Sequence, residues 1–87
     1  MAIFSLEYSA ESLSQLKRLD KAVVKRIIKK IESTQNNPHL FFRRLTGRPE
    51  YKLRIGDYRV ISQIEEQNKI IFIRSIGHRK EIYEKLG

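Results

Sequence analysis

The chain contains no cysteine and no tryptophan, only two prolines and two histidines, and no apolar run beyond five residues. Without cysteine there is no disulfide, no thiolate nucleophile and no cysteine-based zinc site. His39 and His78 lie too far apart in sequence to suggest a structural zinc site. The short apolar runs rule out a membrane-spanning helix of ordinary length. Met1-Ala2-Ile3-Phe4-Ser5 lacks the basic start and long apolar stretch of a secretory leader. A soluble cytoplasmic domain is therefore expected, and 87 residues suit one domain covering 1–87 with a single modest core.

Acidic residues are also scarce, with 10 Asp and Glu against 18 Lys and Arg, for a net charge of +8. Residues 1–47 carry nine basic and four acidic side chains, and residues 48–87 carry nine and six. The basicity is thus spread along the chain rather than confined to a tail. Such a field favours a polyanionic partner: nucleic acid, an acidic protein or an anionic membrane.

Ile3 to Tyr8 is rich in β-formers and predicts a short strand. Ser9 is a helix N-cap, after which Ala10, Leu13, Leu16 and Leu19 would form an apolar stripe. Asp20 is a second N-cap, followed by Val24, Ile27, Ile28 and Ile31 at amphipathic helical spacing. Asn36-Asn37-Pro38 supplies the stop. The short connection between the helices predicts an antiparallel helical hairpin. Leu40, Phe41, Phe42 and Leu45 read as anchors of a connecting loop, with Thr46-Gly47 as its turn.

From Tyr51 to Ile55 the period changes to two, with Tyr51, Leu53 and Ile55 on one face and Lys52 and Arg54 on the other. Gly56-Asp57 is a hairpin signal, so Tyr58 to Ile64 should return antiparallel. A polar turn then leads to a strand over Lys69 to Ile76, which Gly77 is expected to break. Arg79 to Leu86 reads as a short C-terminal helix. The expected class is α+β, in the order β-α-α-β-β-β-α, with the helical hairpin packed on an antiparallel sheet.

Lys52 and Arg54 share a strand face, Arg59 opens the partner strand, and Arg79 follows the next one. Several cations on one face read either as an ordinary solvated surface or as an anion site that suits a phosphorane transition state. Whether Arg59 shares the face of Arg54 depends on hairpin register. Tyr83 lies one helical turn beyond Arg79 and reads as an edge cover, a stacking ring, or a proton acceptor if nearby cations lower its pKa of about 10. His78 and Glu50 are further acid–base candidates. His39 reads as structural or solvent-exposed. Lys21, Lys25 and Lys29 form a basic stripe on the second helix, with Arg26 and Lys30 nearby; it reads as a solvated face or as an RNA or ribosome contact. No glycine-rich phosphate loop, acidic metal cluster or Ser/His/Asp set is visible, so no cofactor or metal is expected and cleavage chemistry would run without one.

The run Leu45-Thr46-Gly47-Arg48-Pro49-Glu50-Tyr51-Lys52-Leu53-Arg54-Ile55-Gly56-Asp57-Tyr58-Arg59-Val60, followed by Ile70 to Lys80 with Gly77-His78-Arg79, resembles the RelE/ParE toxin superfamily. The resemblance extends over essentially the whole chain and implies a RelE-like microbial-ribonuclease-type fold. It implies a toxin of a type II toxin–antitoxin module. In the RelE branch that toxin is an endoribonuclease cutting messenger RNA in the ribosomal decoding site; in the ParE branch it poisons DNA gyrase. Lys52, Arg54, Arg59, Arg79 and Tyr83 fall on the positions of the RelE-like ribonuclease set. By resemblance, the ribose 2′-OH attacks the adjacent phosphorus, with Lys52 or Tyr83 assisting its deprotonation. Arg54 and Arg59 would stabilise the phosphorane and Arg79 the leaving oxygen. Relatives that use Glu or His keep Glu50 and His78 in play. The implied partners are the ribosome, messenger RNA and a RelB-like antitoxin with an acidic C-terminal segment. The toxin would be a monomer alone and a heterotetramer with antitoxin, and no membrane partner is implied. A non-catalytic RNA-binding relative remains the third alternative.

Overall fold

The computed structural model describes residues 3–86, with side chains described through Ile82. Strand β1 (Ser5–Tyr8) leads to helix α1 (Ala10–Lys17) and, after three residues, to helix α2 (Lys21–Ser33). A 3-10 turn, Pro38–Leu40, precedes the two-residue strand β2 (Arg43–Arg44). Strands β3 (Tyr51–Ile55), β4 (Tyr58–Glu65) and β5 (Ile70–His78) follow, and helix α3 (Arg79–Leu86) closes the chain. The α+β class is the one expected from the sequence; the element order gains a 3-10 turn and strand β2, and the sheet is mixed where an antiparallel one was expected.

The strands form one sheet in the order β1-β5-β4-β3-β2. From β2 to β5 the pairing is antiparallel, whereas β1 lies parallel to β5, with Ser5 opposite Ile70 and Tyr8 opposite Ile73. The sheet is therefore mixed. Parallel neighbours need a long connection, and everything between β1 and β5 supplies it here. The pair β2–β3, with Arg43 opposite Lys52, occupies a stretch expected to be loop.

Local chemistry fixes the element boundaries. Ser9 accepts a hydrogen bond from the Ser12 amide at 3.0 Å, which caps α1 as its sequence suggests. Asp20 occupies the N-cap of α2 without a side-chain cap bond. Gly56, at φ +57°, supplies the positive φ that a two-residue hairpin loop requires at its first position. Gly77 does not break β5; it pairs with Arg59 inside the strand. A side chain there would meet Ile82 of α3 at 3.4 Å, so glycine lets the helix lie close to the sheet.

The core lies between α1, α2 and the sheet face that carries Leu53, Ile55, Val60, Ile71, Ile73 and Ile76. Ile27 and Ile31 of α2 are fully buried in it. Burying each such side chain contributes about 1.5–3 kcal/mol. Helix α1 packs through Ser12 and Leu16, with Leu19 of the connection to α2 beside them, while Leu13 is exposed, against the expected stripe. The hydroxyl of Ser12 donates to the Ser9 carbonyl at 2.9 Å, which satisfies it in the interior. Of the four expected loop anchors Phe42 is buried and Leu45 half-buried, while Leu40 and Phe41 are exposed; Pro38 is also buried. On the opposite sheet face Ile61 and Ile82 are also buried, where α3 covers the ends of β4 and β5.

Candidate anion site on the outer sheet face

The register of β3, β4 and β5 decides which cations meet. Arg54 stands directly opposite Arg59, and Arg59 opposite Gly77. One step along, Arg43 is opposite Lys52, Lys52 opposite Ile61 and Ile61 opposite Ser75. Residues directly across a sheet share a face, as do residues two apart on a strand. Arg43, Lys52, Arg54 and Arg59 therefore lie on one face, away from the main core. Arg43 was not singled out in the sequence, because strand β2 carries no alternating pattern over its two residues.

The cations differ in environment. Arg54 and Arg43 are exposed and Lys52 is half-buried. Arg59 is only 5% exposed. Its Nη1 donates to the Gly56 carbonyl at 2.8 Å and to the Tyr58 carbonyl at 2.9 Å, tying the strand to its own turn. On the other side of that turn, the Arg79 amide donates to the Asp57 carbonyl at 2.8 Å. The β3–β4 turn thus holds Arg59 and the start of α3 together at one end of the sheet. Two arginines directly opposite each other repel. An anion placed between them removes that repulsion and accepts from their donor forks.

The remaining candidates lie elsewhere. His78 is opposite Tyr58, on the face away from Lys52, Arg54 and Arg59. Its ring meets that of Tyr58 edge to face at 5.9 Å, and its Nδ1 accepts from the Lys80 amide at 3.3 Å. Both rings line a hollow of about 490 Å³ between α1, β5 and α3. Glu50 immediately precedes β3 and pairs with Arg48, Nε to Oε1 at 3.3 Å. His39 is exposed, bonded to Glu66, with its ring edge to face with Tyr51 at 5.7 Å. Lys21, Lys25 and Lys29 are exposed on α2. Tyr83 falls within α3, but its side chain lies outside the described residues. Among the described residues no group of three or more His, Asp or Glu side chains gathers as a metal site. No helix among them is long and apolar enough to cross a membrane.

Among the described residues, Tyr8 is the group whose pKa departs clearly from its ordinary value, and it lies away from this face. Burial, with a smaller contribution from the Glu32 charge, pushes the Tyr8 hydroxyl up to about 12. That phenol is neutral under ordinary conditions and belongs to the structure of the helix side.

The model of the ParE toxin of the type II toxin–antitoxin system parDE matches residues 6–83. The chain is 28% identical over 90 residues to the mRNA interferase toxin RelE of Escherichia coli, covering 98% of this chain and 94% of that one. It is 33% identical over 86 residues to a RelE-type toxin of Methanocaldococcus jannaschii, covering 93% and 96%. The toxin in the RelB–RelE antitoxin–toxin complex from Methanococcus jannaschii superposes with a TM-score of 0.72 at 26% identity, covering 93% and 99%. The chain belongs to the RelE/ParE toxin superfamily of type II toxin–antitoxin systems.

Proposed function

We propose that the chain is an mRNA interferase, an endoribonuclease that cuts messenger RNA in the ribosomal decoding site and so inhibits translation. The observation that carries this reading is the cross-strand pair Arg54–Arg59, with Lys52 on the same face and Arg79 tethered at the adjoining turn. The named activity of the E. coli relative supports it.

The reaction needs only groups of this chain and the RNA. Lys52 or Tyr83 takes the proton of the ribose 2′-OH, with Glu50 the other acid–base candidate; His78, on the opposite sheet face, does not reach this phosphate. The 2′-oxygen forms a bond to the adjacent phosphorus and the bond from phosphorus to the 5′-oxygen breaks. The 5′-oxygen takes up a proton, leaving a 2′,3′-cyclic phosphate and a 5′-OH. Arg54 and Arg59 stabilise the additional charge of the phosphorane, and Arg79 that of the departing oxygen. Arginine holds its proton too tightly to be the acid, so its role is electrostatic. The ribosome supplies positioning of the message, which a domain of this size cannot supply alone. A RelB-like antitoxin with an acidic segment is the natural partner in the cytoplasm, drawn by the +8 charge and blocking the same face.

The match to the ParE family model favours a second reading, a toxin that acts on DNA gyrase without cutting RNA. The deciding experiment incubates purified chain with ribosomes programmed with a defined message and analyses the ends of the fragments. The interferase reading expects cyclic-phosphate and 5′-hydroxyl ends, lost in Arg54→Ala/Arg79→Ala. An intact message under those conditions, with supercoiling by gyrase abolished, would establish the gyrase reading instead.

A further inference from the structure

We propose that one flank of α2, formed by Arg26, Lys29 and Lys30 with Phe41 beside it, binds the backbone of single-stranded RNA as that strand leaves the cleavage face. The inference rests on the interferase reading and adds a second binding surface to it.

Three observations carry it. First, the Arg26 guanidinium lies over the β3–β4 turn: a Cβ built on Gly56 would meet its Nη2 at 3.2 Å. That same turn accepts from Arg59 at the Gly56 carbonyl and from the Arg79 amide at the Asp57 carbonyl. The Arg26 side chain of α2 and the Arg59 side chain of β4 therefore both reach the turn at which α3 begins, which sets the α2 flank beside the outer face. Second, Arg26, Lys29, Lys30 and Ser33 line a hollow of about 270 Å³. Their spacing of three and four residues places them on one side of the helix. Its walls are largely apolar, and the charged side chains among the four are all cationic. Third, an aromatic ring stands at this flank. Phe41 is 36% exposed, and Lys30 Nζ sits 4.9 Å from its ring centroid.

A cationic groove with an accessible aromatic ring is the arrangement that holds single strands, the cations taking phosphates and the ring taking a base. An acidic peptide would also be attracted. Continuity with the cleavage face and the exposed ring favour RNA. The flank adjoins the stripe singled out in the sequence: at 100° per residue, Lys25 lies about 40° and Lys21 about 80° from Lys29 on its other flank, so Lys29 joins the two.

The test measures binding of the full chain to a 2′-O-methyl RNA oligonucleotide of about 12 nucleotides, a length within the reach of one small domain. This probe lacks the attacking hydroxyl, so binding is read separately from cleavage. Arg26→Gln/Lys30→Gln keeps good helix formers on α2. With a log–log salt slope of about −0.7 per phosphate, loss of two contacts lowers affinity by about 25-fold at about 0.1 M salt relative to about 1 M, and flattens the slope by about 1.4. Phe41→Ala is expected to cost about tenfold with no change of slope. Lys17→Ala/Lys69→Ala removes the same charge elsewhere and should cost less than about threefold. Equal losses in the two double variants, or no loss in Arg26→Gln/Lys30→Gln, would overturn the track. A loss confined to an acidic polyglutamate probe would make the flank a protein-docking surface and overturn it too. The interferase reading fails separately, if the wild-type chain leaves ribosome-bound message intact.

Discussion

Arg59→Ala is expected to be a stability mutation before it is a catalytic one. The Arg59 side chain is 5% exposed, and its Nη1 donates to two carbonyls of the β3–β4 turn, Gly56 at 2.8 Å and Tyr58 at 2.9 Å. Hydrogen bonds to a charged group contribute about 1.5–3 kcal/mol each. Gly56 is exposed, so its carbonyl regains water when the guanidinium is removed, and the sum falls at the low end. The expected loss is about 2–3 kcal/mol, which for a domain of this size lowers Tm by about 8–24 °C. Arg54→Ala, on an exposed side chain directly opposite, should stay within about 0.5 kcal/mol of the wild type. Thermal unfolding of the two variants side by side measures the difference. If Arg59→Ala melts within about 2 °C of the wild type, the guanidinium does not hold the turn, and the structural role given to Arg59 beside its catalytic one is wrong.

Other expectations follow from particular residues. Ile27 is fully buried, so Ile27→Ala should cost about 2–5 kcal/mol in urea unfolding, whereas Leu13→Ala, on an exposed residue, should cost under about 1. Gly47 and Gly56 both have positive φ, but only Gly56 has Arg26 against it; Gly56→Ala should therefore destabilise more than Gly47→Ala by the same assay. The Tyr8 hydroxyl is pushed up to about 12, so between pH 10 and about 12 the folded state holds a proton that the unfolded chain has released. Stability should fall as pH rises through that window, and Tyr8→Phe should flatten the fall in melts recorded across it.

Much of the fold was legible where period and turn chemistry agreed. Strand β3 begins and ends where the alternation from Tyr51 to Ile55 does, and the Gly56-Asp57 signal is the observed turn. The C-terminal helix spans the expected Arg79–Leu86. Long-range pairing was less legible. Nothing local in Ser5–Tyr8 specifies a parallel partner, and the two residues of β2 are too few to show a period. Gly77 reads as a breaker in isolation, yet it continues β5, paired with Arg59 of β4. Likewise Leu13 is the apolar residue of its turn of α1, but the side facing the sheet is set by Ser9, Ser12 and Leu16.

The cationic face shows the same division. Strand alternation placed Lys52 and Arg54 together, but only the register puts Arg59 beside them and His78 on the other side. Burial of Arg59 had no signal in the sequence, because charge and pattern give no indication that α3 folds back over that end of the sheet. Arg26 carries no local signal for its place at Gly56 either; that contact arises only when α2 packs across the hairpin.

The most direct test of the central claim is controlled expression in cells, with primer extension on an abundant translated message. Arg54→Ala/Arg79→Ala serves as the comparison. The account predicts cuts within translated codons that disappear in the variant, with plasmid supercoiling unchanged. Growth arrest with intact messages and relaxed plasmid would contradict it and identify a gyrase-directed toxin.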